Sequence, residues 1–158
     1  MTMTVGDFTE PSLLIPRLLG ADQASAIHVL SGLLQNAGRV EDSLAFFQAV
    51  LQRDYLASSA TGNGVAFPHA RTRGIERLSV ALGLSEVGVR WRDGLPVHAV
   101  FLIAVPPADT QLYLALLSAL ARLARTKSFV EALMACAQPE QILCVLNGAR
   151  VKTPASER

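Results

Sequence analysis

The chain has 158 residues, 51% of them apolar and 17% charged, which suffices for one domain-sized core. Fourteen Lys and Arg against thirteen Asp and Glu leave a formal charge of +1, far from the basic excess that nucleic-acid binding leaves in a composition. No apolar run reaches the roughly 18 residues of a membrane span, and the opening MTMTVGDFTE has acidic residues where an export signal would be basic and then apolar. The chain therefore reads as cytoplasmic, with no nucleic-acid partner and no direct membrane insertion. Cys136 and Cys144 lie in a helical-looking segment without a CxxC or a neighbouring His, and read as buried thiols in a reducing compartment. With three histidines and no acidic cluster beside them, neither a metal site nor a cofactor is expected.

The first dozen residues are polar and irregular, and SLLIPRLL after Pro11 is a short strand or a packed lead-in. From Asp22, Ile27, Leu30, Leu33 and Leu34 fall at helical spacing up to a glycine stop at Gly38. A second helix opens on Glu41 or Asp42, carries Leu44, Phe47, Val50 and Leu51 on one stripe, and ends near Tyr55. ASSATGNG is a loop, and Val65 and Phe67 alternate as in a short strand that Pro68 should close, leaving His69 at its end or just past it. LSVALGLSE, VGVRW and PVHAVFLIAVPP then read as two or three strands. The uninterrupted AVFLIAV of the last implies a central strand buried on both faces, and so helices on both sides of the sheet. A leucine-rich helix follows, with Leu112, Leu116, Leu120 and Leu123 on one face and a cap at Asp109 or Thr110. Two short helices, about Ser128 to Cys136 and Pro139 to Leu146 with Gly148 after it, lead to a frayed tail. The expectation is a single α/β domain over residues 1–158, core about 10–148, in which a mixed β-sheet is flanked by helices on both faces, a three-layer αβα sandwich.

One segment carries chemistry. His69 follows Pro68 and a Gly-Asn-Gly loop, an unusual and partly exposed setting for a structural histidine. Gly62, Asn63 and Gly64 permit backbone N–H groups to converge on an anion, and Arg53, Arg71 and Arg73 offer guanidinium forks for its oxygens. A neutral imidazole is also a competent nucleophile. These residues fit equally a reactive histidine in an anion-friendly loop and a satisfied loop histidine. Arg71 and Arg73 are as readily solvated loop charges, and Arg53 complements a helix C-terminus without any catalytic duty. His98 in a strand and His28 in the first helix read as structural, Trp91 as packing or partner surface, and Cys136 has no local cause for thiolate activation.

The stretch from Arg53 to Arg71, RDYLASSATGNGVAFPHAR, resembles the signature of the fructose/mannitol-type enzyme IIA domains of the bacterial phosphoenolpyruvate-dependent phosphotransferase system, a group that includes the nitrogen-regulatory enzyme IIA proteins. That pattern runs Arg-Glu, a spaced Leu, Ser-Thr-Gly-Ile-Gly-Asn-Gly, then Val or Ile, Ala, Ile, Pro-His. The resemblance extends over roughly residues 10 to 148, taking in the Pro-bearing loop after Phe101 and the leucine-rich helix. It implies that His69 accepts a phosphoryl group from the histidine phosphocarrier protein and passes it to an enzyme IIB, with Arg53 near the phosphohistidine; Ser58, Gly62, Asn63, Gly64, Arg71 and Gln111 are the further candidates for holding the phosphate. Two departures stand out. Gln111 occupies the place where many members have a second histidine, and its amide can still donate to a phosphate oxygen without becoming a cation. Ala60 replaces a glycine of the loop, which would penalise a positive φ there.

The favoured reading is a phosphohistidine carrier, a transferase component of sugar uptake or of its regulation. Its rivals are a regulatory interaction protein whose His69 phosphorylation switches the binding of target proteins without onward transfer, and a scaffold that is not phosphorylated.

Overall fold

The computed structural model describes residues 2–108 and 110–153. The sheet is built around two long antiparallel strands, β5 (Ser79–Arg90) and β6 (Pro96–Val105), where β1 (Met3–Thr4), β2 (Leu14–Ile15), β3 (Val65–Ala66), β4 (His69–Arg71) and β7 (Arg150–Val151) are the short strands in chain order. In the five-stranded sheet the order is β2-β5-β6-β3, and β4 also pairs with β6; β2, β3 and β4 run parallel to their partners. The mixed sheet and the central place of β6 agree with the expectation from AVFLIAV.

Alternation along β6 divides the core. Ala99, Phe101, Ile103 and Val105 face one cluster, which includes Leu116 and Leu120 of α3 (Gln111–Ala124), Leu133 of α4 (Lys127–Met134) and Ile142 and Leu146 of α5 (Pro139–Asn147). Val100, Leu102 and Ala104 face the other, with Ile27, Leu30 and Leu34 of α1 (Gln23–Asn36) and Phe46 and Val50 of α2 (Ser43–Leu56). Both faces of the sheet are thus covered, and the fold is the αβα sandwich.

The helix ends have local causes. The Asp22 carboxylate accepts from the Ser25 N–H at 2.9 Å and opens α1, and Gly38 just past its end has φ +74°. Asp42 accepts from the Leu44 and Ala45 N–H groups and opens α2. Thr110 is the cap residue of α3 but its hydroxyl accepts no capping bond, and Asp109 lies outside the described residues.

Several expectations are corrected. Of the two or three strands expected here the structure has two: LSVALGLSE and VGVRW form one strand, β5, because a register shift between Leu84 and Val89, with Gly88 at φ +94°, absorbs the interruption. Pairing does not stop at Pro68: its carbonyl accepts from the Ile103 N–H at 2.9 Å, and the ladder resumes at once as β4, beginning on His69. The opening segment is not irregular; Met3 and Thr4 pair with Val151 and Arg150, and Val5 and Phe8 are buried. The buried stripe of α2 is Phe46, Val50 and Asp54, while Leu44 points to solvent. Cys136 is half-buried and Cys144 exposed, so neither is a core thiol. Of the tail, residues 154–158 lie outside the described residues.

Candidate functional site

His69 opens β4 on the sheet edge of β6, and its half-buried imidazole is held by its own chain: Nδ1 lies 2.9 Å from the carbonyl oxygen of Phe67. A carbonyl only accepts, so Nδ1 carries the proton and the lone pair resides on Nε2. The imidazole lines a pocket of about 380 Å³ together with Ala49 and Arg53 of α2, Ala70, Arg71, Val105 and Tyr113.

Two guanidinium groups stand in that wall. Arg53 comes from the last turn of α2 and is exposed. Arg71 ends β4 and is braced by the Pro107 carbonyl, to which its Nη1 donates at 3.0 Å. From the opposite side, Tyr113 of α3 lays its ring 5.5 Å from the imidazole, centroid to centroid, and the Arg71 guanidinium lies 5.7 Å from the same ring. Burial pushes the Tyr113 hydroxyl above the ordinary phenol range, with Arg53 and Arg71 pulling the other way, so it remains a neutral donor.

Arg53 owes its place to the next residue. Asp54 is 4% exposed, and its Oδ2 accepts from Gln23 Nε2 at 2.7 Å and Trp91 Nε1 at 3.0 Å. Oδ1 accepts from the Ser59 backbone N–H at 3.0 Å. The carboxylate thereby ties the end of α2 to α1, to the β5–β6 turn and to the following loop. Trp91 is a packing residue, not a partner surface. The sequence offered one signal for this role, the acidic residue directly after Arg53.

The other expected phosphate contacts lie elsewhere. The Gly64 carbonyl accepts from the His98 and Ala99 N–H groups, at the start of β6, whereas His69 pairs with Ile103. At ~3.3 Å per residue that separation is about 13 to 16 Å along the sheet. Gly62, Asn63 and Gly64 are therefore not brought to His69; Asn63 lines a separate depression with Arg125 and Lys127. Ser58 does not line the pocket: its hydroxyl lies 3.4 Å from Asp93 in the β5–β6 turn, although the neighbouring Ser59 carbonyl accepts from the Phe67 N–H and brings this segment back alongside Pro68. Gln111 lines a further depression with Leu114, Ser118, Arg122 and Lys152. Positions 111 and 113 are about 200° apart on a helix, so only one of them can face the imidazole, and it is Tyr113. Arg73 is exposed beyond β4 and does not line the pocket. Ala60 carries no strain, since no residue other than glycine has a positive φ among those described.

The remaining histidines have structural partners. His98 Nδ1 lies 2.9 Å from the Ser85 carbonyl, and His28 meets Phe47 edge-on. Burial raises the Cys136 thiol, which keeps it from thiolate chemistry. Among the described residues no cluster of three His, Cys, Asp or Glu could hold a metal ion, and no helix is long and apolar enough to cross a membrane.

Comparison with known proteins converges on one group. The chain is 36% identical over 104 residues to a fructose-specific EIIA component of Haloferax volcanii, covering 65% of this chain and 68% of that protein. It is 27% identical over 146 residues to a nitrogen regulatory protein of Bradyrhizobium diazoefficiens, covering 91% and 95%. It is also 30% identical over 128 residues to the fructose-specific EIIABC component of Bacillus subtilis, matching 80% of this chain but spanning only 20% of that larger protein. Among solved structures, the nitrogen regulatory protein IIA-Ntr of Neisseria meningitidis superposes with a TM-score of 0.77 at 25% identity, covering 90% of this chain and 98% of that one. Residues 8–149 match the model of the phosphoenolpyruvate-dependent sugar phosphotransferase system EIIA 2 family, and the chain belongs to that family of phosphotransfer components.

Proposed function

We propose that the chain is a phosphohistidine carrier whose acceptor atom is Nε2 of His69. One observation carries the reading: the Phe67 carbonyl holds the proton on Nδ1 and leaves the other nitrogen as a lone pair in a pocket walled by Arg53 and Arg71. The lone pair attacks the phosphorus of a phosphohistidine on the histidine phosphocarrier protein. A new N–P bond forms as the donor's N–P bond breaks, and the donor nitrogen keeps that electron pair. No proton need enter or leave. As the His69 ring gains positive charge, its Nδ1–H bond to the Phe67 carbonyl strengthens, and the two guanidinium groups offset the charge on the equatorial oxygens. Onward transfer repeats the exchange, with a cysteine or histidine of an enzyme IIB as the attacking group.

Incubation with phosphoenolpyruvate, enzyme I and the histidine phosphocarrier protein, followed by intact-protein mass, tests this. The expected result is one acid-labile phosphoryl group on the protein and none on His69→Ala. An unmodified protein beside a phosphorylated donor would leave the scaffold reading.

The regulatory branch has an observation in its favour. The match runs over nearly the whole of the Bradyrhizobium nitrogen regulatory protein and of the Neisseria IIA-Ntr structure. In that use His69 phosphorylation would switch a target-binding surface by adding charge and acceptor oxygens beside Arg53 and Arg71. Transfer of label to an enzyme IIB separates the two: rapid loss of label supports the relay, and retention with altered target binding supports the switch.

A further inference from the structure

Tyr113 belongs to the inner stripe of α3, three residues before the buried Leu116, and the helix therefore delivers its ring over the start of β4. It is half-buried, lies at 47° to the imidazole, and has the Arg71 guanidinium over its ring. Packing alone does not account for a phenol here, because phenylalanine would fill the same wall without placing a polar atom beside two arginines.

We propose that Tyr113 is a catalytic residue of phosphoryl transfer, donating its hydroxyl hydrogen to an oxygen of the phosphoryl group carried by His69. The proposal rests on the phosphocarrier reading. The hydroxyl complements the arginines: they supply charge, and it supplies a directed donor that keeps its proton, and its neutrality, across the pH range in which an imidazole would titrate. Transfer through Tyr113 should then show no ionisation from this position near neutrality.

Phosphorylation rates at saturating phosphorylated phosphocarrier protein, followed from about pH 6 to about pH 9, test this in wild type, Tyr113→Phe and Tyr113→His. Tyr113→Phe keeps the ring and should lower the maximal rate about tenfold to a hundredfold, with little change in the donor concentration for half-maximal rate. Tyr113→His restores a donor, and should recover much of the rate while adding an ionisation near about pH 6.5. A Phe variant as fast as wild type overturns the proposal and leaves the carrier reading intact, whereas a wild type that takes no phosphoryl group overturns the carrier reading itself. Should Tyr113→Phe not fold, the His variant decides: a pH profile superimposable on wild type means that position 113 does not touch the phosphoryl group.

Discussion

Replacing Asp54 by alanine removes the acceptor on which three segments converge. Trp91 is 1% exposed, so its indole N–H, now 3.0 Å from Oδ2, would be left in the interior without a partner. A stranded buried donor costs about 1 to 3 kcal/mol. The Ser59 N–H and the Gln23 amide lose bonds of 3.0 and 2.7 Å but lie nearer solvent and recover part of the loss from water. Allowing for that and for non-additivity, Asp54→Ala should cost about 3 to 5 kcal/mol. With a urea slope of ~2 kcal/mol/M, the midpoint falls by about 1.5 to 2.5 M. Asp54→Asn keeps one oxygen acceptor and should cost less, about 1 to 2 kcal/mol. Trp91 is the chain's single tryptophan, so its fluorescence reports the same event: emission should move to longer wavelength in Asp54→Ala under conditions where the protein is still folded. A loss below about 1 kcal/mol with unchanged emission would refute the assignment of this carboxylate as the clamp beneath Arg53.

Arg53 is exposed, so Arg53→Ala should change stability by less than about 1 kcal/mol while slowing phosphorylation of His69 about tenfold or more; equal rates would remove it from the phosphate site. Gly64 has φ +78°, and a Cβ there would meet His98 Cδ2 at 3.2 Å, so Gly64→Ala should lower stability by about 1 to 2 kcal/mol in urea denaturation. Gly62 has open space around it and no positive φ, and Gly62→Ala should leave both stability and phosphorylation unchanged; a slowed transfer would mean that the loop reaches the phosphate after all. The Ser25 backbone N–H, then its hydroxyl, hold the Asp22 carboxyl below its ordinary range. Its contribution is complete above the unfolded value and is lost as pH falls through the lower folded one. Between about pH 5 and about pH 2.5 the urea midpoint of Asp22→Asn should therefore fall less steeply than that of wild type, and parallel declines would contradict the cap.

Much of the fold was legible because the deciding signals are local. Asp22, Asp42 and Gly38 mark helix ends by chemistry confined to a single turn, and AVFLIAV announces a strand with no solvent face. Other features depended on partners distant in sequence. Pro68 lacks an N–H, yet on this side the parallel ladder asks only for its carbonyl, so β4 could begin directly after it. Gly88 looks like a break until a bulge against β6 absorbs it, and 3-10 turns such as Val5–Phe8 have no long period to betray buried residues.

The site divides in the same way. His69, Arg53 and Arg71 gather around one pocket, and their spacing around Pro68 is visible in the chain. The Gly-Asn-Gly loop is close to His69 in sequence but, because the intervening β3 is extended, lies toward the other end of β6. Tyr113 was hidden by the opposite effect: the helix start drew attention to Gln111, while the stripe that reaches the imidazole is the one shared with Leu116 and Leu120. Reading Tyr113 at three and seven residues before those leucines would have found it.

The most direct test of the account is the identity of the nitrogen that carries the phosphoryl group. Long-range proton–nitrogen correlation spectra of the phosphorylated protein, labelled with nitrogen-15 at histidine, distinguish the two ring atoms of His69. The hydrogen bond between Nδ1 and the Phe67 carbonyl predicts a phosphoryl group on Nε2 with the Nδ1 proton retained. A phosphoryl group on Nδ1, or on His28 or His98, would contradict it.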